Sequence, residues 1–358
     1  MEIGLVGLPN AGKSTLFNAL TKIGAPAAAY PFTTIEPNIG VVTVPDDRFD
    51  KVVELIKPAS VVPAVVRFVD IAGLVKGASR GEGLGNKFLS HIREVEAIAQ
   101  VVRCFEAGVP HVAGQVSPID DIETVNTELA LADLAGCERR AERLVKSVRS
   151  GDKDAVRLVD ALNKLTEELS RGRLAVNCPG VNDFAELHLL TAKPMIIVAN
   201  IDEEDWRAGR FDTADDAKKF AADNNCDFVI VSAKVEAELA ELDDEDAALF
   251  REELGMDESS LNKLIHTAYH TLGLMSFFTA GPSECRAWTV RQGATAVDAA
   301  GTIHTDFARG FIKAEVINYA QLLEDGSFAA AKEKGHLRLE GKEYKVQDGD
   351  VMHFKFNV

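Results

Sequence analysis

The chain has 358 residues, 46% hydrophobic and 27% charged, enough for a well-buried core in two or three domains. Its 39 Lys and Arg stand against 56 Asp and Glu, and the net charge of −17 argues against chain-wide attraction to nucleic acid and gives no expectation of DNA binding. No apolar run approaches the roughly 18 residues of a bilayer span, no signal-peptide pattern is seen, and Cys104, Cys137, Cys178, Cys226 and Cys285 lack C-x-x-C spacing, so a reducing cytoplasm without disulfides, zinc or membrane is expected.

Residues 2–7 form a short apolar run without helical period, read as a buried strand. Gly7-Leu8-Pro9-Asn10-Ala11-Gly12-Lys13-Ser14 follows and fits G-x-x-x-x-G-K-[S/T]; Leu16, Phe17, Ala19 and Leu20 then fall at helical spacing. Strand, loop and helix in that order predict a phosphate loop. Its glycines let backbone N–H groups approach phosphate oxygens, and the helix N-terminus adds partial positive charge. Lys13 is expected to reach the β- and γ-phosphates and Ser14 to hold Mg²⁺.

Tyr30-Pro31-Phe32-Thr33-Thr34-Ile35-Glu36-Pro37 reads as a loop in the position of a first switch. Thr34, with Thr33 as the fallback, is expected to complete the Mg²⁺ shell. The strand Val61 to Val69 leads into Asp70-Ile71-Ala72-Gly73. In this D-x-x-G, Asp70 is expected to hold Mg²⁺ through its water and the Gly73 N–H to meet the γ-phosphate. Leu74 stands where Ras-like enzymes carry a water-orienting Gln, so hydrolysis is expected to be slow or to use another group.

Gly77, Gly81, Gly83 and Gly85 mark a second switch, Phe88 to Ala99 reads as helix, and Val101 to Phe105 as a buried strand. His111, just past that strand, is the candidate for the missing water-orienting group. Leu134, Cys137, Ala141, Leu144 and Val148, then Leu158, Leu162, Leu165 and Leu169, step by three and four around Ser150-Gly151-Asp152. This is an αα-hairpin with a coiled-coil seam, either packed on the sheet or projecting as an arm toward a partner.

The strand Pro194 to Ala199 ends in Asn200-Ile201-Asp202-Glu203, where a GTPase shows N-K-x-D. Ile201 replaces the lysine that packs along the base, and Glu203 replaces the aspartate that accepts from guanine N1 and N2. The extra methylene of Glu203 misplaces that bidentate contact, and an apolar Ile201 against the base would suit adenine. The strand Phe228 to Val231 ends in Ser232-Ala233-Lys234, the loop beside the base.

From about Phe277 a last unit is expected, with strands at Ala287–Arg291, Phe311–Val316, 344–346 and Val351–Phe356 and a helix over Ala294–Ala300: a small ubiquitin-like β-grasp module. Residues 276–358 carry 10 Lys and Arg against 11 Asp and Glu. Lys332, Lys334, Arg338, Lys342 and Lys345, near Tyr344, form a basic cluster that composition reads first as a solvated mixed-charge face.

Gly-Leu-Pro-Asn-Ala-Gly-Lys-Ser-Thr, Pro-Phe-Thr-Thr-Ile-Glu-Pro-Asn, Val-Asp-Ile-Ala-Gly-Leu-Val-Lys-Gly-Ala and Gly-Glu-Gly-Leu-Gly-Asn, with the later Phe-Phe-Thr-Ala-Gly, Arg-Ala-Trp-Thr-Val and Ile-His-Thr-Asp-Phe, resemble the YchF family of Obg-like ATPases from end to end. The resemblance implies an α/β P-loop NTPase: an Obg-type G domain at 1–120 and 190–274, a helical coiled-coil insert at 121–189 and a C-terminal TGS domain at 275–358. It implies ATP preferred over GTP and partnership with the ribosome and ribosomal RNA. By position, Asn10, Ala11, Gly12, Lys13, Ser14 and Thr15 would bind phosphates, and Ser14 and Thr34 would bind Mg²⁺. Asn200, Ile201 and Glu203 match an altered base-recognition motif, Leu74 a hydrophobic replacement for the catalytic Gln, and His111 a loop histidine that supports hydrolysis. Asn10 matches an Asn that coordinates K⁺ in some related GTPases, which opens K⁺ dependence. The loop from Ala107 to Pro110 is shorter than the family pattern. Two other readings stand beside this one: a GTPase with a tolerant base pocket, and a nucleotide-gated RNA- or ribosome-binding module in which hydrolysis only resets the state.

Overall fold

The computed structural model describes residues 1–22, 38–71, 84–106, 116–256 and 258–357, except the side chains of 84–86 and 244. Among these, the strands in chain order are β1 Glu2–Val6, β2 Ile39–Thr43, β3 Val61–Val62, β4 Val65–Asp70, β5 Ala97–Arg103, β6 Met195–Asn200, β7 Asp227–Val231, β8 Leu274–Ala280, β9 Cys285–Arg291, β10 Phe311–Asn318, β11 Arg338–Glu340 and β12 Asp350–Phe356. They form two six-stranded sheets, ordered β2-β4-β1-β5-β6-β7 and β11-β10-β12-β8-β9-β3.

The chain divides into two compact units. One holds the N-terminal strand, the phosphate loop and Arg67–Thr267; the other holds Val41–Val66 and Ala268–Val358. In the first, β1 pairs in parallel with β4 and β5, β5 with β6, and β6 with β7. Parallel strands covered on both faces are apolar throughout: every residue of β5 and β6 is buried. The registers pair Leu5 with Asp70, Val6 with Gln100, Arg103 with Asn200, and Asn200 with Val231. The C-terminal ends of β1, β4, β5, β6 and β7 therefore share one edge, the side where open α/β sheets bind ligands.

Helix α1, Lys13–Lys22, starts inside the phosphate loop and buries Leu16, Ala19 and Leu20. Helix α2, Asp47–Ile56, belongs to the second unit; Asp46 caps it, accepting from Arg48 N at 3.0 Å, and Phe49 packs on Phe278 with ring centroids 5.2 Å apart. Helix α3, Leu84–Glu94, ends earlier than the sequence suggests, and β5 begins at Ala97. Ala97 and Ala99, unlike Ile98, carry no strong strand propensity; pairing with β1 on one side and β6 on the other decides their state. The strand expected from Val61 to Val69 is two strands broken at Pro63, whose ring removes a ladder donor. Val61 and Val62 join the second sheet beside Cys285 and Arg286.

Helix α4, Pro118–Arg149, and helix α5, Lys153–Ser170, form the expected hairpin, with Gly151 at φ 83° and Asp152 capping α5. Helix α4 divides between two cores, and its first half carries the reading of a helix packed on the sheet. Ile122, Val125, Leu129 and Ala132 lie in the core cluster of the first sheet. Cys137 joins Leu162, Leu165, Leu169, Phe184 and Leu189 in a separate core, with Leu134, Ala141, Leu144 and Leu158 packed against it. Toward the tip, Val145 and Val156 are exposed. Asp133 links the hairpin to the segment that returns to β6: it accepts from Leu190 N, Thr191 N and Thr191 Oγ1 at 2.7–2.9 Å.

The first unit continues through helix α6, Glu203–Arg207, helix α7, Asp215–Asp223, helix α8, Ala233–Leu239, helix α9, Asp244–Glu253, and helix α10, Ser260–Thr271, as far as Thr267. The Glu236 carboxylate, 1% exposed, replaces the missing N-terminal partners of α10 by accepting from Ser260 N, Ser260 Oγ and Ser259 Oγ.

In the second unit β8 and β9 are an antiparallel hairpin and β10 pairs antiparallel with β12, which meets β8 in parallel through Val351 and Phe278. Helix α11, Ala296–Ile303, held by a Thr295–Asp298 capping box, buries Ala296, Ala299 and Ala300 against Phe277, Val316 and Phe354. Hairpin, crossing helix and a strand returning parallel to the first make the expected β-grasp arrangement. Residues 344–346 do not form a strand; one bridge joins Lys345 to Thr295.

Candidate nucleotide site

The phosphate loop is shaped by close backbone approaches. A Cβ at Gly7 would lie 2.7 Å from the Val101 carbonyl oxygen. Gly12 adopts φ +87°, and a Cβ there would collide with Asn200 Nδ2. Asn10 is also left-handed, at φ 65°. These positions admit glycine, or a small polar residue at Asn10, for steric reasons. Ala11 is buried, while Ser14 and Thr15 are exposed on the first turn of α1.

Lys13 is 9% exposed, and its Nζ donates to Asp70 Oδ1, so the loop cation and the D-x-x-G carboxylate meet at one strand end. Asp70 is itself fixed by the register of β4 and by its N–H donating to Asn38 O at 2.8 Å. Arg103 enters the same edge: it is 2% exposed, lies opposite Asn200, and its Nε donates to Phe105 O at 3.1 Å. Sequence alone reads Arg103 as part of an apolar strand; a lone cation in such a run is the available signal.

Asn200 ties three motifs together. Its Nδ2 donates to Ala11 O at 2.9 Å, and its Oδ1 accepts from Ala233 N at 2.9 Å. The amide thus clamps the phosphate loop to the Ser232-Ala233-Lys234 loop. Ser232 is fully buried and its Oγ has no hydrogen-bond partner among the described residues. Ile201 is 1% exposed and sits in the apolar cluster with Val6, Ile98 and Ala199.

Glu203 is held from two sides. Its Oε1 accepts from Arg207 Nε at 3.0 Å and its Oε2 from Lys234 Nζ at 3.1 Å. The Lys234 hydrogen bond is the main cause that keeps this carboxyl below the usual glutamate range, and the same contact raises Lys234. Sequence alone gives Lys234 no role; the fold sets it on the first turn of α8, paired with Glu203.

Thr33, Thr34, Gly73, Leu74 and His111 lie outside the described residues. The five cysteines are free, and burial pushes the Cys104 thiol up to about 12. Among the described residues no three His, Cys, Asp or Glu gather as a metal cluster, and no helix is long and apolar enough to cross a membrane. Two members of the basic cluster of the second unit are ion-paired, Lys334 with Asp325 and Arg338 with Glu340, and Lys345 donates to Gly293 O.

Comparison with known proteins agrees with this geometry. The family model described as "50S ribosome-binding GTPase" matches residues 2–126, and the YchF-GTPase_C model, described as a protein of unknown function, matches residues 274–357. The protein named Ribosome-binding ATPase YchF of Bacillus subtilis is 52% identical over 365 residues, covering 100% of both chains. Its counterpart of the same name in Escherichia coli O157:H7 is 50% identical over 362 residues, covering 100% of this chain and 99% of its own. The solved structure of the Schizosaccharomyces pombe YchF GTPase superposes with a TM-score of 0.90 at 38% identity, covering 99% of this chain and 97% of that one. A phosphate loop clamped by Asn200, a helical hairpin and a closing β-grasp unit thus coincide with full-length similarity, and the chain belongs to the YchF family.

Proposed function

We propose that this protein is a Mg²⁺-dependent, ribosome-associated P-loop ATPase that prefers ATP to GTP and turns over slowly alone. The observation that carries the base preference is Glu203. Both its oxygens are engaged, one by Arg207 and one by Lys234. Guanine recognition needs a carboxylate free to accept two hydrogen bonds, and supplying it means giving up two ion pairs whose cations are 43% and 65% exposed, each worth at most about 1 kcal/mol. Adenine makes no such demand. The names of the Bacillus subtilis and Escherichia coli relatives, ribosome-binding ATPases, support the same reading.

In the proposed reaction water attacks the γ-phosphorus in line, the bond to the β,γ-bridging oxygen breaks, and the electron pair leaves with ADP. Lys13 and the N–H groups of Asn10 to Thr15 offset the charge on the phosphate oxygens. The donors at this edge suit Mg²⁺: Ser14 offers an exposed hydroxyl and Asp70 a carboxylate, both hard oxygens. Bound there, with Thr34, the ion would neutralise charge between the β- and γ-phosphates. Gly73 is assigned to the γ-phosphate and His111 to the water, because Leu74 has no polar atom for it. Asn10 is the candidate K⁺ contact. The nucleotide chemistry is assigned to residues 1–120 and 190–274, the arm to 121–189 and a TGS module to 275–358, acting in the cytoplasm with ribosomal RNA as partner.

Competition of ATP and GTP for the purified protein tests the central claim. ATP is expected to bind at least tenfold more tightly; clear preference for GTP would sink it. The Schizosaccharomyces pombe relative is named a GTPase, which favours the GTPase reading, and the same experiment separates the two.

A further inference from the structure

The strand β7 ends the first sheet, and among the described residues no strand pairs with its outer edge. A cavity of about 810 Å³ opens beside it, floored by Trp206, Phe211, Phe228 and Met256. That volume lies within the range of small-molecule sites, and a largely apolar lining with a few charged groups is their usual chemistry. Arg207, Lys218 and Lys263 stand on its walls, and among the described lining residues Glu258 is the one carboxylate, so these carry more positive than negative groups in a chain of net charge −17. Lys218 and Lys263 are exposed and make no ion pair among the described residues. An apolar body against the aromatic floor with an anionic group between these cations uses both the apolar and the cationic parts of the lining. A neutral ligand would leave the cations unused, and a polyanion would leave the aromatic floor wet.

Arg207 belongs to two places at once. It lines the cavity, and its Nε donates to Glu203 Oε1 at 3.0 Å, while its Nη1 reaches Glu253 at 3.4 Å. An anion entering the cavity competes with Glu203 for this guanidinium. Release of Glu203 would leave it with Lys234 alone and free one oxygen at the end of the Asn200-Ile201-Asp202-Glu203 motif.

We propose that this cavity is an effector site for an apolar monoanion with an aromatic or branched body, and that Arg207 couples its occupancy to Glu203. The coupling rests on the base-recognition reading of Glu203; the binding site does not.

The probe is 8-anilinonaphthalene-1-sulfonate, an aromatic monoanion, titrated into the full-length, nucleotide-free protein. One saturable site per chain is expected, with energy transfer from Trp206. In the double variant Lys218→Glu, Lys263→Glu, two exposed positions, its affinity should fall at least tenfold while ATP affinity without probe is unchanged. Unchanged probe affinity in that variant, or many sites per chain, would overturn the site. For the coupling, ATP affinity is measured with and without saturating probe. At least a threefold change is expected in the wild type, and none in Arg207→Gln or in the double variant. No change in the wild type overturns the coupling; a change that persists in the double variant means direct competition at the phosphate loop and also overturns it. Equal competition of ATP and GTP would remove the base-recognition reading while leaving the probe titration to decide the site.

Discussion

Asn200 joins two segments of the candidate site, because one amide satisfies an acceptor in the phosphate loop and a donor at the start of α8. Asn200→Ala leaves Ala11 O and Ala233 N buried without this partner, which should lower stability by about 1–3 kcal/mol. It should weaken ATP binding together with stability; urea melts and calorimetric titration check the two. Glu203 gives a pH prediction at the same scale. Its folded pKa is depressed, chiefly by Lys234, so whatever it contributes is present above the unfolded value of about 4.3 and is lost as pH falls through the folded one. The ATP-to-GTP preference should therefore stay constant from pH 6 to 8, as competition titrations across that range will show; a sharp change near neutrality would mean another group sets it.

Among the elements, α4 serves two cores. Leu129 is fully buried in the cluster of the first sheet, and Leu162 of α5 is 1% exposed in the hairpin cluster. Leucine-to-alanine substitution at either site should cost about 2–5 kcal/mol. The consequences should differ. Leu162→Ala should speed hydrogen exchange in residues 134–189 and leave ATP affinity alone, whereas Leu129→Ala should loosen the sheet core that carries the strand ends. Equal effects on ATP binding would show the hairpin and sheet cores acting as one. The periodic leucines made the hairpin legible in sequence, because a three-four step survives whatever it packs against. The division of α4 was not legible, because Ile122, Val125 and Leu129 continue the same spacing onto a different partner.

At the scale of the whole molecule, each compact unit contains one tryptophan, Trp206 in the first and Trp288 in the second, so their unfolding is separately observable. In the second unit Asp348 accepts from Ser276 N at 3.0 Å and pairs with Arg48 at 2.9 Å, joining α2 to the strands that close the chain. Asp348→Ala should destabilise this unit by about 1 kcal/mol, since the pair is half exposed and screened by solvent. The shift is expected in the Trp288 transition and not in that of Trp206; a variant with single-tryptophan background makes the comparison.

The sequence alone determined the phosphate loop, the carboxylate at the end of β4, the αα-hairpin and the β-grasp arrangement. Each is written in contiguous residues whose backbone needs or apolar period are local. Only the tertiary structure decided what lies between those segments. The Asn200 clamp spans 189 residues, and Glu203 is paired with Lys234 from the first turn of α8. The recruitment of Val41–Val66 into the unit of the C-terminal strands and the early start of β5 are likewise fixed by pairing. Neighbours distant in the chain determine such features, and no local propensity encodes them.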